Sequence, residues 1–390
     1  MPARASMLFS PLTIRDVTFR NRVMVSPMAQ YAAVDGFAND WHFMHLAKFA
    51  TGGVGLICLE ATKVERRGLG TIGDLGLWKD EHIAPIRRIT DFLRNHSAAS
   101  AIQIGHAGRK AGTLRPWEGF GPLDRRVKIE GQEHWPVIGP SPLAYLEGWP
   151  VPQEMTLGDI EVLINAFAQA ARRAHEAGLD VLELHGAHGY LIHEFLSPAS
   201  NVRKDCYGGS RENRMRFALE ITEAVREFWP AGKPLFFRVS AEDGGGWTLD
   251  DSIVLARELN ALGVDAIDCS SGGINARYSS ANVARQQLGF QVPLAQRIRK
   301  EAGIMTVAVG LIVQPWQAEA IIANGQADLV ALGREMLYDP FWAVHAANEL
   351  GVDPEFRNMP ERYGWWLDRR ARTGYEPMPA PSNAYRRRAR

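Results

Sequence analysis

Two histidines and a tyrosine lie close together where a strand is expected to end. Residues 179–184 form an apolar run that is typical of a buried strand, and His185, His188 and Tyr190 follow it directly. Barrels of parallel strands carry their chemistry at the carboxyl ends of the strands. Two imidazole N–H groups can hold one developing oxyanion, and a nearby phenol can deliver a proton. This combination suits reduction of a double bond conjugated to a carbonyl group, with the hydride supplied from elsewhere.

The same side chains could instead have structural roles or bind a metal. The two histidines could be one core residue and one turn residue, and Tyr190 could be a hydrogen-bonded core tyrosine. A His-x-x-His spacing can also bind zinc. His193 and Glu194 are the candidates for a third ligand, but they are expected to begin the next helix. We therefore expect no metal site.

Length and charge restrict the class of protein. The chain has 390 residues, which fits two or three ordinary domains or one barrel with long insertions. The 44 basic residues equal the 44 acidic residues in number, so bulk charge favours neither nucleic acid nor anionic membranes as partners. No apolar run approaches the roughly 18 residues of a membrane helix.

The amino terminus and the cysteines indicate a cytoplasmic protein. Residues 1–6 lack the apolar segment of a secretory signal. Cys58, Cys206 and Cys269 are widely spaced, so they offer neither a disulfide framework nor a Cys-x-x-Cys site for a metal or an iron–sulfur cluster. Cys58 and Cys269 lie in apolar runs and are expected in the core.

Short apolar runs alternate with amphipathic helical patterns along the chain. Continuous apolar runs are expected of parallel strands that are covered on both faces. The clearest helices are predicted over residues 156–177, 250–262 and 314–323. Eight strands alternating with helices predict an α/β fold of the (β/α)₈ TIM barrel type. The predicted strands are residues 22–27, 54–60, 101–105, 181–185, 235–240, 266–270, 305–309 and 329–332.

Two regions interrupt the alternation. Residues 108–154 are rich in Pro, Gly and Trp, and they predict a long functional insertion after the third strand. Beyond the barrel, residues 360–390 predict a C-terminal arm. We expect a single domain over residues 1–367 and a partly disordered tail over residues 368–390.

Several motifs in order along the chain resemble the old yellow enzyme family, and the match runs from about Leu8 to Leu367. The resemblance implies an FMN-containing, NAD(P)H-dependent (β/α)₈ barrel, and details are similar to the bacterial branch of thermophilic-like ene-reductases and xenobiotic reductases. The motifs are Arg20-Asn21-Arg22, Ser26-Pro27-Met28, Glu60-Ala61-Thr62, Gln103-Ile104-Gly105-His106-Ala107-Gly108-Arg109-Lys110, His185-Gly186-Ala187-His188-Gly189-Tyr190, Asp205-Cys206-Tyr207-Gly208-Gly209-Ser210, Glu212-Asn213-Arg214 and Gly333-Arg334.

The resemblance assigns FMN-binding roles to residues near several strand ends. The phosphate site of such barrels is formed by the loops after strands seven and eight, which hold Gly310, Gly333 and Arg334 here; ordinary turn glycines and a surface arginine are the alternative. By resemblance, Ser26, Pro27, Met28, Ala29 and Ala61 line the flavin. Many relatives carry a cysteine at the position of Ala29, so redox potential and substrate affinity do not transfer from them.

Two polar residues inside apolar runs complete the expected flavin site. Gln103 would be costly to bury without hydrogen bonds, and its amide can meet both donors and acceptors of a pyrimidine edge. Arg238 needs an anionic partner if it is buried. That partner is either a structural carboxylate, such as Glu183 or Glu60, or the reduced flavin near N1.

The resemblance also assigns substrate contacts. His185 and His188 bond the substrate oxygen, Tyr190 donates the proton, and Tyr31, Lys110 and Trp366 contribute further contacts. A solvated surface lysine is the alternative for Lys110, and packing of the tail is the alternative for Trp366. In relatives the C-terminal arm, which here holds Arg362, Trp365 and Trp366, can enter a neighbouring subunit's site. We therefore expect a homo-oligomer, a dimer or a tetramer.

The expected function is reduction of activated C=C bonds in unsaturated carbonyl or nitro compounds. NADPH or NADH reduces FMN, N5 passes hydride to the β-carbon, and Tyr190 protonates the α-carbon. The alternatives are an iron–sulfur dienoyl-CoA reductase, a flavin-free phosphate-binding lyase or aldolase, and a non-enzymatic barrel. The first would need a cysteine-rich stretch after the barrel, and the second a Schiff-base lysine at a strand end. No predicted strand contains such a lysine.

Overall fold

A closed barrel of eight parallel strands forms the centre of the molecule, as the sequence predicts. The structure is a computed structural model and describes residues 6–123, 136–275 and 287–373. Each strand pairs with the next along the chain, and the last pairs with the first. The strands are β1 (Val23–Val25), β2 (Leu56–Lys63), β3 (Ala99–Gly105), β4 (Val181–Gly186), β5 (Leu235–Ser240), β6 (Ala266–Ser270), β7 (Met305–Ala308) and β8 (Leu329–Leu332).

The strand β2 ends later in the chain than predicted. The strand continues to Lys63, three residues past the predicted end at Glu60. Its register against β3 shifts between Leu59 and Thr62, and such a bulge re-aims the side chains that follow it. Lys63 is therefore the last residue of a barrel strand and is buried.

Helices cover the outside of the barrel, and several of them begin at side-chain caps that the sequence supplies. Thr156 accepts a hydrogen bond from the backbone N–H of Asp159, and Thr248 caps the later helix in the same way. The helices are α1 (Asp40–Thr51), α2 (Ile83–Asn95), α3 (Leu157–Glu176), α4 (Leu191–Leu196), α5 (Arg211–Phe228), α6 (Leu249–Ala261), α7 (Val292–Ala302), α8 (Pro315–Ala323), α9 (Arg334–Tyr338), α10 (Trp342–Glu349) and α11 (Glu361–Arg372).

The lower half of the barrel interior is apolar and closed. An antiparallel hairpin of Leu12–Ile14 and Val17–Phe19 precedes β1. Ile14 and Phe19 pack in one buried cluster with inward residues such as Leu56 and Phe236. Side chains alternate along a strand, and the inward positions further along β3 to β6 are polar. The open, polar end of the barrel is therefore the carboxyl end of its strands.

The insertion and the arm lie outside the barrel strands. The insertion holds a short sheet of Ile138–Gly139 with Gln153–Glu154, and part of it lies outside the described residues. Helix α11 runs past residue 367, so the predicted boundary falls inside a helix. The predicted tail beyond residue 373 lies outside the described residues, and the division into domain and tail stays a prediction. In the described ranges, no helix is both long and apolar enough to cross a bilayer.

Candidate active site

A tight loop after β4 positions the two histidines and the tyrosine. His188 and Gly189 both adopt the left-handed conformation, with φ of 60° and 70°. A Cβ on Gly189 would lie 2.3 Å from the carbonyl oxygen of Gly273, so only glycine fits this approach. The backbone N–H of His188 donates to Oγ of Ser240 at 2.9 Å, which ties the loop to β5.

The loop brings the three predicted catalytic rings together. The ring centroid of His185 lies 5.2 Å from that of His188 and 5.0 Å from that of Tyr190, each in an edge-to-face arrangement. Burial lowers the pKa of both histidines well below the usual value. Both imidazoles are therefore neutral at pH 7, and each carries one N–H donor.

Tyr190 is held as a protonated phenol. Burial raises the pKa of Tyr190, and the nearby charges of Asp74 and ionised Tyr145 raise it further. A phenol with a raised pKa keeps its proton until a stronger base forms beside it. Tyr190 can therefore act as an acid toward a carbanion-like centre, but it does not ionise on its own at neutral pH.

Tyr190 and His188 face a cavity of about 180 Å³ at the mouth of the barrel. Four further residues that the sequence analysis assigned to flavin or substrate line the same cavity, namely Ala29, Tyr31, Ala61 and Lys110. Other lining residues were not predicted from the sequence, among them Lys63, Asp74 and Tyr145. A cavity of this size can hold a small organic molecule about as large as a single ring.

A buried polar network lies in the barrel below this mouth. The amide nitrogen of Gln103 donates to Oε1 of Glu183 at 2.7 Å. Nε of Arg238 lies 3.4 Å from Oδ2 of Asp268, so the carboxylate paired with Arg238 is Asp268, which the sequence analysis did not consider. Glu60 pairs instead with His42 at 3.0 Å. The suggested pairing of Arg238 with Glu60 was therefore wrong.

The network contains two acids but one cation. Burial and the neighbouring Asp268 raise the pKa of Glu183 to about 8. Burial also raises the pKa of Asp268, although Arg238 opposes that effect. The Glu183–Asp268 pair therefore retains a proton at neutral pH, and the cluster does not carry two negative charges against one cation.

Comparison with known proteins identifies the family. The model of the NADH:flavin oxidoreductase / NADH oxidase family matches residues 7–352. An NADPH dehydrogenase of Geobacillus sp. (strain WCH70) is 46% identical over 92% of this chain and 99% of its own length. The Bacillus subtilis (strain 168) NADPH dehydrogenase is 42% identical over 93% of this chain and 100% of its own. This chain belongs to that family. The resemblance to old yellow enzymes is thereby confirmed.

Solved structures agree with the barrel architecture. Morphinone reductase superposes with a TM-score of 0.72 at 23% identity and covers 90% of this chain and 91% of its own, a likeness that concerns the fold alone. A 2-naphthoyl-CoA reductase in complex with 2-naphthoyl-CoA gives a TM-score of 0.79 at 26% identity over 88% of this chain. This chain spans about half the length of that reductase, 52%.

Membership in this family makes the protein an NAD(P)H-dependent flavin oxidoreductase with FMN as its cofactor. The buried atoms at the barrel mouth fit that group. Oγ of Ser26 and Nδ1 of His185 are buried and have no hydrogen-bond partner among the described residues, and Nε of Arg238 has only its 3.4 Å ion-pair contact with Asp268. Such atoms cost about 1–3 kcal/mol each when left unpaired, and the polar ring edge of a flavin would supply partners.

The loops after β7 and β8 lie where a phosphate site was predicted. Gly310 has a φ of 110°, and a Cβ there would meet Oε1 of Gln291 at 2.5 Å. A Cβ on Gly333 would lie 3.9 Å from Cβ of Ser26, so the loop after β8 lies beside the loop after β1. Arg334 is exposed at the start of α9. Binding of the FMN phosphate by these residues stays a prediction.

The structure decides between the alternatives for Lys110. Its ammonium group donates to the carbonyl oxygen of His188 at 2.6 Å and to that of Gly273 at 2.5 Å. Burial lowers the pKa of Lys110 to about 7. Lys110 is therefore not a solvated surface lysine, since it joins two loops at the cavity wall.

The residues of the arm lie apart from the cavity. Trp366 on α11 is 67% exposed and does not line the cavity. It packs edge-to-face with Trp365 at 4.5 Å, and Arg362 is exposed on the same helix. Within its own chain, Trp366 is not placed to contact a substrate, and its entry into a neighbouring subunit stays a prediction.

A lysine does lie at the end of a barrel strand, contrary to the prediction. No predicted strand contained a lysine that could form a Schiff base, but β2 ends at Lys63 beside the cavity. Its ammonium group lies 3.4 Å from Oδ2 of Asp74 and donates to the carbonyl oxygen of Ala61 at 3.1 Å. Family membership, rather than the absence of a lysine, is what favours the flavin oxidoreductase.

The residues suggested as further metal ligands have other partners. Nδ1 of His193 accepts the backbone N–H of Gly189 at 2.8 Å, and Oε1 of Glu194 accepts that of Arg109 at 2.9 Å. Over the parts of the chain that are described, no group of three His, Cys, Asp or Glu side chains is placed to hold a metal ion.

Proposed function

We propose that this enzyme reduces activated C=C bonds of α,β-unsaturated aldehydes, ketones and nitro compounds. The observation that carries the proposal is that the neutral ring of His188 and the protonated phenol of Tyr190 line one cavity, with the neutral ring of His185 packed against both. This grouping supplies an oxygen-binding site and a proton donor within one small volume.

The two histidines bind the substrate oxygen. As the double bond accepts a hydride, negative charge grows on the carbonyl or nitro oxygen, and N–H donors already in place stabilise it. Neutral imidazoles suit this role because they donate without protonating the oxygen outright. Loss of one such donor raises the barrier by about 3 kcal/mol.

Tyr190 delivers the proton to the α-carbon. When bound, FMN supplies the hydride that reaches the β-carbon, and NADPH or NADH supplies the electrons. The phenol loses its proton only as the carbanion-like α-carbon develops, because its pKa is raised. One hydride and one proton add across the double bond, and solvent returns the proton to Tyr190.

Turnover of cyclohexenone by substituted enzymes tests the proposal. We expect Tyr190→Phe to lower kcat by about a hundredfold, the low end for a lost general acid. We expect His185→Ala to lower kcat/KM by about a hundredfold or more. Tyr207→Phe is the matched control, because its hydroxyl donates to Glu220 at 2.7 Å, outside the residues that line the cavity. Unchanged turnover in both active-site variants would contradict the assignment.

We also propose NADPH as the preferred reductant, since several bacterial relatives are named NADPH dehydrogenase. A comparison of kcat/KM for NADPH and NADH tests this. Higher kcat/KM with NADH would overturn it.

A further inference from the structure

Two lysines lie on the cavity wall beside Tyr190, and the reduction described above uses neither. Nζ of Lys63 lies 5.1 Å from the centroid of the Tyr190 ring, and Nζ of Lys110 lies 5.9 Å from it. Both residues line the cavity, and Lys63 is only 2% exposed. Lysine is almost never buried to this extent without a partner. Each of these two lysines therefore needs an acidic partner in the protein or in a ligand.

Among the described residues that line the cavity, Asp74 is the one acidic residue, and its own loop uses both of its oxygens. Oδ2 accepts the backbone N–H of Gly70 at 2.9 Å and lies 3.4 Å from Lys63. Oδ1 accepts the hydroxyl of Thr71 at 2.8 Å. Asp74 can therefore neutralise the charge of Lys63 at most. Both of its oxygens already have partners, so it does not also pair with a second lysine.

Among the described residues, no acidic side chain neutralises the charge of Lys110. Within the described residues its ammonium group forms no ion pair and donates only to the carbonyl oxygens of His188 and Gly273. The acid that acts on it most is Glu194, and burial raises the pKa of Glu194 to about 8, so that acid is largely neutral at pH 7. An ammonium group has three N–H donors, and the third meets no acceptor in the described part of the chain.

The ammonium group of Lys110 also contacts an aromatic ring of the cavity wall. Nζ of Lys110 lies 4.3 Å from the centroid of Tyr145, which also lines the cavity. Because Lys110 and His188 line the same cavity, a small molecule with its oxygen at the His188 ring can also reach Lys110.

We propose that the cavity selects acceptors that carry a carboxylate in addition to the activated double bond. The substrate class is the 4-oxo-2-enoates and related unsaturated keto acids, with the ketone oxygen at His185 and His188 and the carboxylate at Lys110. Lys63 adds a second positive charge to the same wall. This inference rests on the proposed C=C reduction and makes Lys63 and Lys110 its specificity-determining residues.

The first test compares (E)-4-oxopent-2-enoate with its uncharged methyl ester at pH 6.5 in the holoenzyme. The measured quantity is the ratio of kcat/KM for the acid to that for the ester. We expect Lys110→Met to lower this ratio by about tenfold, as for a lost hydrogen bond to a charged group. We expect Lys63→Met to lower it several-fold and Lys110→Arg to retain most of it.

Lys48→Met is the control that removes one positive charge elsewhere. Lys48 lies on α1, where its ammonium group is 4.9 Å from the ring of Phe49, and it does not line the cavity. The ratio in this variant should equal that of the wild type. If Lys110→Met and Lys63→Met both keep the wild-type ratio within about twofold, the proposal is wrong.

The second test measures binding without turnover. Levulinate, the saturated keto acid, and methyl levulinate are titrated into the oxidised holoenzyme by calorimetry. We expect the wild type to bind the acid more tightly, and Lys110→Met to remove that difference. Equal binding of both compounds by the wild type would overturn the inference. Failure to reduce cyclohexenone would instead refute the proposed function, so the two failures are distinguishable.

Discussion

Nε2 of His188 lies 2.7 Å from Oγ of Ser270, the last residue of β6. The same hydroxyl oxygen accepts a hydrogen bond from the amide nitrogen of Gln291 at 3.1 Å. The hydroxyl of Ser270 can donate to Nε2 of His188 when that nitrogen carries no proton. In that tautomer the single proton of neutral His188 lies on Nδ1, the nitrogen left for a ligand.

We expect Ser270→Ala to reduce kcat/KM for cyclohexenone by roughly five- to tenfold, because a neutral hydrogen bond contributes about 1 kcal/mol and the histidine loses its tautomer preference. Gln291→Leu should act in the same direction with a smaller effect. Nitrogen NMR of labelled histidine checks the cause, since the His188 tautomer should become mixed in Ser270→Ala. An unchanged tautomer together with full activity would show that Ser270 does not position His188.

Gly189 lies so close to Gly273 that we expect the activity of the enzyme to be unusually sensitive to a methyl group added at position 189. Gly189→Ala places a Cβ 2.3 Å from a carbonyl oxygen, so the loop that carries His188 and Tyr190 must move. We expect kcat to fall by about a hundredfold, as for a displaced catalytic group, with FMN still bound.

Gly209→Ala is the matched control for that experiment. Gly209 also has a positive φ, 81°, but a Cβ there would meet nothing within 4 Å. It should lose only about 1 kcal/mol of stability and keep normal kinetics. Similar kinetic losses in both variants would mean that strain, not contact with Gly273, controls the loop.

Arg238 is the one basic group in the buried cluster with Glu183 and Asp268. Removing one partner of a buried ion pair costs about 3–5 kcal/mol, so Arg238→Met should lower the free energy of unfolding by that amount. It should also weaken FMN retention, seen as a loss of visible absorbance after gel filtration. Arg297→Met removes an exposed arginine paired with Asp250 and should change neither property. Full stability and full flavin content in Arg238→Met would contradict this role.

The exposed tryptophans of α11 provide a test of the predicted homo-oligomer. Trp366 is 67% exposed and adjoins the exposed Trp365 and Tyr363 on the same helix, and a contiguous apolar patch of this kind is typical of a contact surface. We expect Trp366→Ala to shift sedimentation toward smaller species, while Trp316→Ala on α8, which is 58% exposed, should not. A wild type that sediments as a monomer would refute the predicted association.

The strand positions were predictable because parallel strands covered on both faces are continuous apolar runs. The bounds predicted for β5, β6 and β8 agree with the structure. The helix predicted at residues 156–177 agrees with α3, because Thr156 and Asp159 form a capping pair that is visible in the sequence. These signals are local, so no tertiary information was needed.

The residues that were missed depend on contacts between distant segments. Lys63 was left outside β2 because a bulge, set by pairing with β3, extends the strand beyond its apolar run. Asp268 became the partner of Arg238 because adjacent strands place the two residues in register. Neither contact has a signal in one sequence, since register is decided by neighbouring strands.

By itself, the sequence determined the barrel, its family and the identities of the histidines and the tyrosine, because apolar periodicity and ordered motifs are properties of the chain. The tertiary structure alone decided which nitrogen of His188 is free for a ligand and that Lys110 is a partly buried amine with no carboxylate partner among the described residues. Those properties arise from contacts between β3, β4 and β6 at the barrel mouth, and they exist only once the barrel closes.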